Sequence, residues 1–421
     1  MSSLDYAQYL EELVQKGELD EAVIDQAVRR VLTKKYEFGL FDRQYRYDPE
    51  KTAQTALCEE HRSRSLEAAK RCAVLLKNDG VLPIGEDVKK ILVVGALAED
   101  RQALLGPWAF TGSAEPVVTI VEGMKRYAKA GVEIRYVRGF GVDDDRSGFA
   151  EAYAAAGWAD LVVVAAGEKE YMSGEAASLA DLHLAGCQEA FLAELAQMQV
   201  SVAVVLINGR PLAVGCLQGN PGIGAIVEGW HLGTECGNAL AEILYGFYNP
   251  SGKLTVTFAH EAGQEPMYYN HPNTGKPGSD FKFTSKYLDV PVRPLYPFGY
   301  GLSYTTFLYR DPLIEKEEIT PEETLRCSVK VKNAGARAGE ETVQLYIRDI
   351  VASCARPIKE LKRFEKILLQ PGEEKEVRFE LPAREMGFYD SACSYVIEPG
   401  RFGLYVGTNS EETLESSFYV K

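Results

Sequence analysis

A series of short apolar runs in the first half of the chain limits the folds that it can adopt. The runs cover residues 91–94, 132–137, 161–166, 202–207 and 225–227, and stretches of helical periodicity separate them, including 118–130, 187–197 and 235–244. A strand that is apolar at successive positions is covered on both faces, and strands joined through helices run parallel. The pattern therefore predicts an αβα sandwich around a mainly parallel sheet.

Beyond residue 318 the pattern changes to alternation of apolar and polar residues. The apolar positions of this second pattern are Leu325, Cys327, Val329, Val331, Val343, Leu345, Ile347, Val377, Phe379, Leu381, Phe402, Leu404 and Val406. Alternation is typical of strands with one buried face, and turn sequences such as NAG at 333–335 and PG at 371–372 separate the strands. About seven short strands of this kind predict a β-sandwich.

The chain opens with helical patterns that are too few to form a core. In the second of them, Asp20 is placed to cap a helix and Gly39 to end it. The apolar residues expected to face inward on this helix are Val23, Ile24, Ala27, Val31 and Leu32. A third predicted helix, over 61–77, runs into the turn sequence NDG at 78–80. The N-terminal segment therefore resembles the last part of a larger domain.

These patterns divide the chain into four predicted segments. Residues 1–84 form a helical segment and linker, 85–246 the αβα sandwich, 247–318 a long ordered connection rich in Pro, Gly and aromatic residues, and 319–421 the β-sandwich. The predicted fold class is α/β plus all-β. A chain of 421 residues is long enough for several such domains.

Charge and hydropathy exclude several classes of function. The excess of 61 acidic over 46 basic side chains gives a net charge of −15, which disfavours a nucleic-acid partner. No apolar run approaches the roughly 20 residues that span a bilayer, so no membrane association is expected. The first nine residues carry no basic segment followed by an apolar stretch, so no secretory signal is recognised and a cytoplasmic location is predicted.

Cysteine and histidine spacing gives no support for a metal site. The eight cysteines lie far apart without a CxxC pair, and none of the five histidines has metal-ligand spacing to another. We therefore expect no metal and no cofactor, and we expect most cysteines to be buried in a reducing compartment.

Several motifs resemble one known family. They are NGRPL at 208–212, YNPSGKL at 248–254 and PFGYGLSYT at 297–305, with GE at 167–168 and SGEA at 173–176 upstream and RPIKEL at 356–361 downstream. Their order and spacing resemble the C-terminal half of glycoside hydrolase family 3 β-glucosidases, and the resemblance covers nearly the whole chain. It implies an αβα sandwich followed by a fibronectin type III-like domain, with residues 1–84 as a helical remnant of an N-terminal (β/α)8 barrel and its linker.

The same resemblance implies a deficit. The family carries its nucleophilic Asp and the groups that hold the glucose ring on the barrel, and this sequence has no motif that matches them. Retaining hydrolysis needs two carboxyl groups about 5 to 5.5 Å apart, one as nucleophile and one as acid/base. We therefore expect this chain to lack the nucleophile and to be inactive alone.

The acid/base implied by the resemblance is Glu175 of the SGEA motif. The residues agree with that placement, because the apolar run 161–166 ends at Gly167 and a polar loop follows. The carboxyl ends of strands in an open α/β sheet usually present ligand groups. Without the resemblance, Glu175 is simply one solvated surface carboxylate among 61 acidic residues. On the same loop, Glu168 is expected to order the backbone by hydrogen bonding and Glu170 to be solvated.

Trp108 resembles a family position whose aromatic ring helps to hold the leaving-group sugar. An indole suits stacking on a pyranose face, but a half-buried packing role fits the residue equally well. Arg210 is predicted to pair with a carboxylate. The aromatic residues Tyr296, Phe298, Tyr300 and Tyr304 are predicted to pack in the core or between domains and not to bind ligand.

The sequence also departs from the family's pattern. Leu179 stands where the family commonly has Arg in SGEAxSR, so a charge partner of the loop is lost. Ala185, His231 with Leu232, and Cys236 stand where the family usually has Pro, an aromatic followed by Pro, and Gly. These changes indicate relaxed selection or a modified interface with a separate barrel.

Two functions follow as alternatives. In the first, the chain is the acid/base half of a retaining β-glycosidase acting on a β-glucoside or oligosaccharide, with a separate barrel polypeptide or self-association completing the site. In the second, it is a non-catalytic carbohydrate-associated binding or scaffolding protein. A flavodoxin-like nucleotide binder is disfavoured, because residues 139–145 have no phosphate-cradling glycine pattern.

Overall fold

The structure, a computed structural model, describes residues 3–42 and 48–421. It divides into two compact units, one ending at His61 and the other running from Arg62 to Lys421. In the described ranges no helix combines the length and the apolar character needed to cross a bilayer. The predicted segment 1–84 includes residues 1–2 and 43–47, which lie outside the described residues.

The first unit contains the helices α1 (Asp5–Gln15), α2 (Glu21–Glu37) and α3 (Pro49–Thr55). As predicted, the Asp20 carboxylate accepts a hydrogen bond from the Ala22 amide at 2.9 Å and caps α2. The prediction that α2 packs an apolar face inward is wrong, since Val23, Val31 and Leu32 are 56%, 57% and 44% exposed. These short helices supply no second layer to cover that face.

The predicted helix over 61–77 is shorter in the structure. Helix α4 (Glu59–Cys72) ends before Ala73, and strand β1 (Val74–Asn78) follows and pairs antiparallel with β6 (Ala225–Glu228). Val74 and its two successors are almost completely buried, which is typical of a strand covered on both faces. The predicted turn is present, because the Asn78 amide bonds both backbone groups of Leu82.

The remaining strands of this sheet run parallel, as the apolar runs predicted. They are β2 (Lys90–Val94), β3 (Glu133–Val137), β4 (Leu161–Gly167) and β5 (Ser201–Ile207), together with β6. The strand order is β1-β6-β5-β4-β2-β3, and only β1 is antiparallel. One apolar core lies on each face of the sheet, with Val163 in one and Val164 in the other.

Helices cover both faces of the sheet. The three predicted helices are present as α6 (Ile120–Tyr127), α8 (Gln188–Leu195) and α10 (Cys236–Leu244). The structure adds α5 (Arg101–Leu105) and α9 (Gly215–Gln218), which are too short for clear periodicity, and α7 (Phe149–Ala156), which is rich in alanine. The αβα sandwich is therefore confirmed.

The connection predicted over 247–318 is ordered against both of its neighbours. Isolated antiparallel bridges join its Leu302 to Leu75 of the αβα sandwich and its Pro272 to Pro357 of the β-sandwich. The predicted packing role of its aromatic residues is confirmed, because Tyr296 is 1% exposed and the Tyr304 hydroxyl donates to the Ile243 carbonyl at 2.9 Å. Its last part contains the strand β7 (Phe307–Ile314).

The C-terminal strands form the predicted sandwich. They are β7, β8 (Glu318–Ile319), β9 (Thr324–Asn333), β10 (Gly339–Asp349), β11 (Glu360–Leu369), β12 (Glu374–Pro382), β13 (Phe388–Tyr389), β14 (Tyr395–Val396), β15 (Gly400–Gly407) and β16 (Thr413–Val420). One sheet has the order β11-β10-β15-β16-β8 and faces another with the order β12-β9-β7. All thirteen alternating apolar residues named above are buried in one core between them.

The expectation that most cysteines are buried is wrong. Cys187, Cys236 and Cys327 are buried, but the exposed group is larger and comprises Cys72, Cys216, Cys354 and Cys393. Each of the exposed cysteines lies outside the apolar cores of the sheet and the sandwich.

Candidate functional site

The loop that carries Glu175 leaves the carboxyl end of β4 and returns to α8. Glu175 is exposed, and in the part of the chain that the structure describes its carboxylate forms no hydrogen bond or ion pair. Gly174 and Ala176 on either side have φ angles of +95° and +58°. These two left-handed residues form a tight turn with Glu175 at its tip, which leaves the carboxylate open to a ligand.

Both ends of the loop are fixed by one buried side chain. The Gln188 amide accepts from the Gly167 nitrogen at 2.7 Å and donates to the Gly167 carbonyl at 2.8 Å. It also donates to the Ala185 carbonyl at 2.9 Å. Because Gln188 is 0% exposed, these bonds do not compete with water and they hold the point where the loop leaves the sheet.

Glu168 orders the start of the loop, as predicted. Its carboxylate is almost completely buried and lies 3.0 Å from Nε of Arg210, and it accepts from the Gly209 amide at 3.4 Å. Burial raises the pKa of the Glu168 carboxyl, and the charge of Arg210 partly offsets that shift. The predicted carboxylate partner of Arg210 is therefore Glu168.

Arg210 also contacts the loop on both sides of Glu175. Its Nη2 donates to the Ala177 carbonyl at 2.7 Å and to the Met172 carbonyl. One guanidinium thus bridges the loop start, the residues before Glu175 and those after it, a geometry that suits the fork of donors on Arg. Leu179, which stands where the resemblance implies an Arg, is 40% exposed.

His231 fixes the residue that opens the SGEA motif. Its Nδ1 lies 2.7 Å from the Ala103 carbonyl, which can only accept, so Nδ1 carries the proton. Its Nε2, 3.2 Å from Ser173 Oγ, then accepts from that hydroxyl. Burial lowers the pKa of His231, which favours this neutral form. The sequence identified His231 only as a departure from the family, and nothing in the local pattern predicts its partners.

The structure brings Trp108 and the Glu175 loop together. A Cβ at Gly174 would lie 3.1 Å from Pro107 Cβ and 3.7 Å from Trp108 Cε2. Trp108 is 61% exposed, which does not fit a half-buried packing role. An ion pair at 3.1 Å between Lys169 and Asp100 fastens the same two segments.

Two further exposed aromatic residues that the sequence analysis missed extend this surface. The ring of Phe110 is centred 6.5 Å from that of Trp108 and is 89% exposed, and Tyr171 on the Glu175 loop is 66% exposed. In the sequence, the one feature that could have identified them is their closeness to Trp108 and Glu175. The surface therefore offers a carboxyl group and aromatic faces of the kind that pack on sugar rings.

The carboxyl group that this surface presents beside Trp108 is that of Glu175. Of the two acidic residues that precede it on the loop, Glu168 is buried against Arg210 and Glu170 is half-buried. Within residues 3–42 and 48–421, no three His, Cys, Asp or Glu side chains converge to hold a metal ion. The arrangement suits proton transfer to and from a bound group, and not a complete two-carboxylate centre.

Comparison with known proteins gives a consistent result for both domains. Residues 73–304 match the family model described as the glycosyl hydrolase family 3 C-terminal domain, and residues 341–410 match the fibronectin type III-like domain. A periplasmic beta-glucosidase of Salmonella typhimurium is 37% identical over 98% of this chain and 57% of its own length. A beta-xylosidase of Formosa agariphila is also 37% identical, over 92% of this chain and 54% of its own length.

A solved structure agrees along the whole chain. The β-glucosidase of Listeria innocua in complex with isofagomine superimposes with a TM-score of 0.91 at 36% identity, over 100% of this chain and 58% of that protein. The chain therefore spans little more than half the length of the relatives that it matches.

Proposed function

The chain belongs to glycosyl hydrolase family 3, and from that premise we propose that it contributes the acid/base carboxyl, Glu175, to a retaining β-glycosidase. The proposed substrates are terminal β-D-glucosyl or related residues of a β-glucoside or oligosaccharide. The observation that carries the proposal is the presentation of Glu175. It lies on a tight turn beside Trp108, and Arg210 holds the backbone on both sides of it.

The reaction assigns two steps to Glu175. In the first, a nucleophilic carboxylate attacks the anomeric carbon while Glu175 protonates the departing glycosidic oxygen. In the second, Glu175 takes a proton from water, which attacks the anomeric carbon and releases the nucleophile. A bound sugar or partner would exclude water from the exposed turn and favour the neutral donor form of the carboxyl in the first step.

The nucleophile and the subsite for the terminal sugar come, in this proposal, from a barrel domain on a separate polypeptide. The chain spans 57% of the Salmonella typhimurium beta-glucosidase and 58% of the Listeria innocua β-glucosidase. Self-association is the alternative way to cover the exposed surface. The cytoplasmic location stays a prediction, and one relative carries a periplasmic name.

The test is reconstitution. The pure chain is assayed with an aryl β-glucoside, alone and mixed with the part of the Listeria innocua β-glucosidase that this chain does not cover. We expect no turnover by the chain alone and turnover by the mixture. Glu175→Gln should lower the turnover of a 4-nitrophenyl glucoside by about 100-fold or more. It should lower that of a 2,4-dinitrophenyl glucoside much less, because that leaving group departs without protonation.

Glu170→Gln is the matched control, since it removes a neighbouring carboxylate of the same loop. Hydrolysis by the chain alone would refute the inference that it lacks the nucleophile. A mixture whose turnover is equally insensitive to Glu175→Gln and Glu170→Gln would refute the role of Glu175.

The second candidate is a non-catalytic carbohydrate-associated binding or scaffolding protein. The departures at Leu179, Ala185 and Cys236 favour it, because they alter the loop and its surroundings. This candidate predicts that no barrel partner restores turnover, while the chain still binds the glucoside at the Trp108 surface.

A further inference from the structure

A groove runs between the connection and the β-sandwich, away from the Glu175 loop. It consists of two adjoining cavities of about 300 and 560 Å³. They share the residues Tyr269, His271, Val292, Ile358, Ser410 and Glu411. We call this pair of cavities the connection groove. Its volume is in the range of sites that hold small ligands.

The walls of the connection groove are tied together by backbone contacts. The Ile358 amide donates to the His271 carbonyl at 3.0 Å, and the Ser410 amide donates to the Phe298 carbonyl at 2.9 Å. Tyr269 stacks on Phe298 with ring centroids 4.2 Å apart, and its hydroxyl accepts from the Leu361 amide at 3.3 Å. The groove is therefore preformed, which reduces the entropy lost when a ligand binds.

Tyrosine rings lie along the groove at the surface. Tyr268 is 63% exposed and Tyr287 is 44% exposed, and both line the smaller cavity. The Tyr287 hydroxyl donates to the Gly263 carbonyl at 3.2 Å, which orients its ring. Exposed, oriented aromatic faces are suited to the apolar C–H faces of pyranose rings, and their hydroxyl edges can hydrogen-bond sugar hydroxyls.

The charge of the groove is opposite to that of the chain. Although the whole chain has a net charge of −15, the groove is lined by Arg293, Arg348 and Lys359 against a single acid, Glu411. In the described ranges none of these three cations has a carboxylate within ion-pair distance, unlike Arg363, which pairs with Glu385 at 2.7 Å. Such unpaired cations attract an anionic ligand, and the Arg forks match its oxygen atoms.

Lys359 places its charge at the inner wall. Its Nζ donates to Thr413 Oγ1 at 3.3 Å and to the Ser410 carbonyl, and it lies 4.7 Å from the centre of the Tyr405 ring. These hydrogen-bond partners are neutral. Burial lowers the pKa of Lys359, the nearby carboxylates of Glu411 and Glu415 partly offset that shift, and an anion in the groove would oppose it further.

We propose that the connection groove binds an anionic oligosaccharide, with pyranose rings against the tyrosines and acidic groups paired with Arg293 and Arg348. The site is separate from the Glu175 surface and does not depend on the proposed hydrolytic function. Carboxylates of uronic acids and sulfate esters of sugars share the required chemistry.

The experiment is calorimetric titration of the full chain with three tetrasaccharides: an oligogalacturonate, a sulfated chondroitin fragment and the neutral cellotetraose. At least one anionic tetrasaccharide should bind, and cellotetraose should bind at least about ten-fold more weakly, since each charge-assisted contact contributes roughly that factor. Binding of the oligogalacturonate would identify carboxylates as the anionic group, and binding of the chondroitin fragment alone would identify sulfate esters. Raising the salt concentration should weaken this binding.

The variants test the named residues. Arg293→Gln with Arg348→Gln should weaken binding about ten-fold or more, and Tyr287→Ala should weaken it several-fold. The matched controls are Arg384→Gln and Tyr389→Ala, exposed residues of the same sandwich outside the groove, and they should bind as the wild type does. Glu175→Gln should also leave binding unchanged, which separates this site from the proposed catalytic one.

The proposal is overturned if neither anionic tetrasaccharide binds, or if cellotetraose binds as tightly as the anionic tetrasaccharide that binds best. It is also overturned if the double arginine variant binds as tightly as Arg384→Gln. Thermal unfolding of each variant verifies that the folded chain is being compared.

Discussion

Nε of Arg210 lies 3.0 Å from Oε1 of Glu168, and the Glu168 side chain is only 2% exposed. The two residues follow neighbouring parallel strands, β5 and β4, so the ion pair joins the sheet edge to the loop that carries Glu175. Because Arg210 also binds carbonyl groups on both sides of Glu175, it connects the stability of the fold to the position of the candidate acid/base.

Arg210→Met should strongly destabilise the second unit. The substitution leaves the buried Glu168 without its cation, and breaking a buried pair from one side costs about 3–5 kcal/mol. The free energy of unfolding from urea denaturation measures the effect. Arg326→Met, which breaks an exposed pair with Glu380, is the control and should change the free energy of unfolding little, because solvent screens that pair. Equal losses for the two variants would contradict the importance of the buried pair.

Arg210→Lys should loosen the loop without removing the charge. A single ammonium group cannot reach Glu168, Met172 and Ala177 together, so amide hydrogen exchange should quicken across 172–178 and change little in β5. In the reconstituted enzyme, turnover should fall while binding of the terminal sugar is retained. Unchanged exchange in the loop would show that the other contacts are sufficient to hold it.

His231 should make the folded state less stable at acid pH. Burial lowers the pKa of His231 in the folded state below its ordinary value near 6.5. The unfolded chain therefore binds a proton more readily, and the contribution of His231 is present above pH 6.5 and declines as the pH falls towards the folded pKa. Relative to His231→Gln, the wild type should lose unfolding free energy between pH 7.5 and 5.5. A difference that does not change with pH would contradict the buried neutral ring.

His183 should make the folded state more stable at acid pH, the opposite of the effect expected for His231. It lies between Asp181 at 2.7 Å and Glu261 at 2.9 Å, with Glu189 also nearby, and the hydrogen bond to Asp181 and the acidic groups raise its pKa. Its contribution is fully present below pH 6.5 and declines as the pH rises through the folded pKa. Relative to His183→Asn, the wild type should therefore gain stability between pH 7.5 and 5.5. A loss over that interval would contradict the bridging geometry.

The fold was predictable where burial alone determines the pattern. The alternation from Leu325 to Val331 and the continuous apolar run 161–166 each have one structural solution, and both appear as predicted. Strand β1 was missed because Val74 to Leu76 follows a helix without a break, and an apolar run of that length fits either element. Its identity depends on pairing with β6, about 150 residues later in the sequence, a separation that local patterns do not encode.

The candidate site was predictable only in part, for a similar reason. Glu175 and Trp108 came from the family resemblance, and their proximity follows from strands ending at a shared sheet edge. The contacts of Gln188 with Gly167 and of His231 with Ala103 join residues that are distant in sequence, so no local pattern identifies them. The departure at His231 was visible, but its partner Ser173 required the structure.

Gly167→Ala should destabilise the chain far more than Gly372→Ala, although both glycines have positive φ angles of +133° and +77°. A Cβ at Gly167 would lie 2.0 Å from the Ile207 carbonyl oxygen. A Cβ at Gly372 would have no atom within 4 Å. Gly372→Ala therefore lowers the free energy of unfolding only by the backbone strain, about 1–2 kcal/mol. Gly167→Ala adds a steric clash that must separate β4 from β5 at the root of the Glu175 loop. Urea unfolding compares the two variants, and equal losses would show that the sheet edge relaxes around the added methyl group.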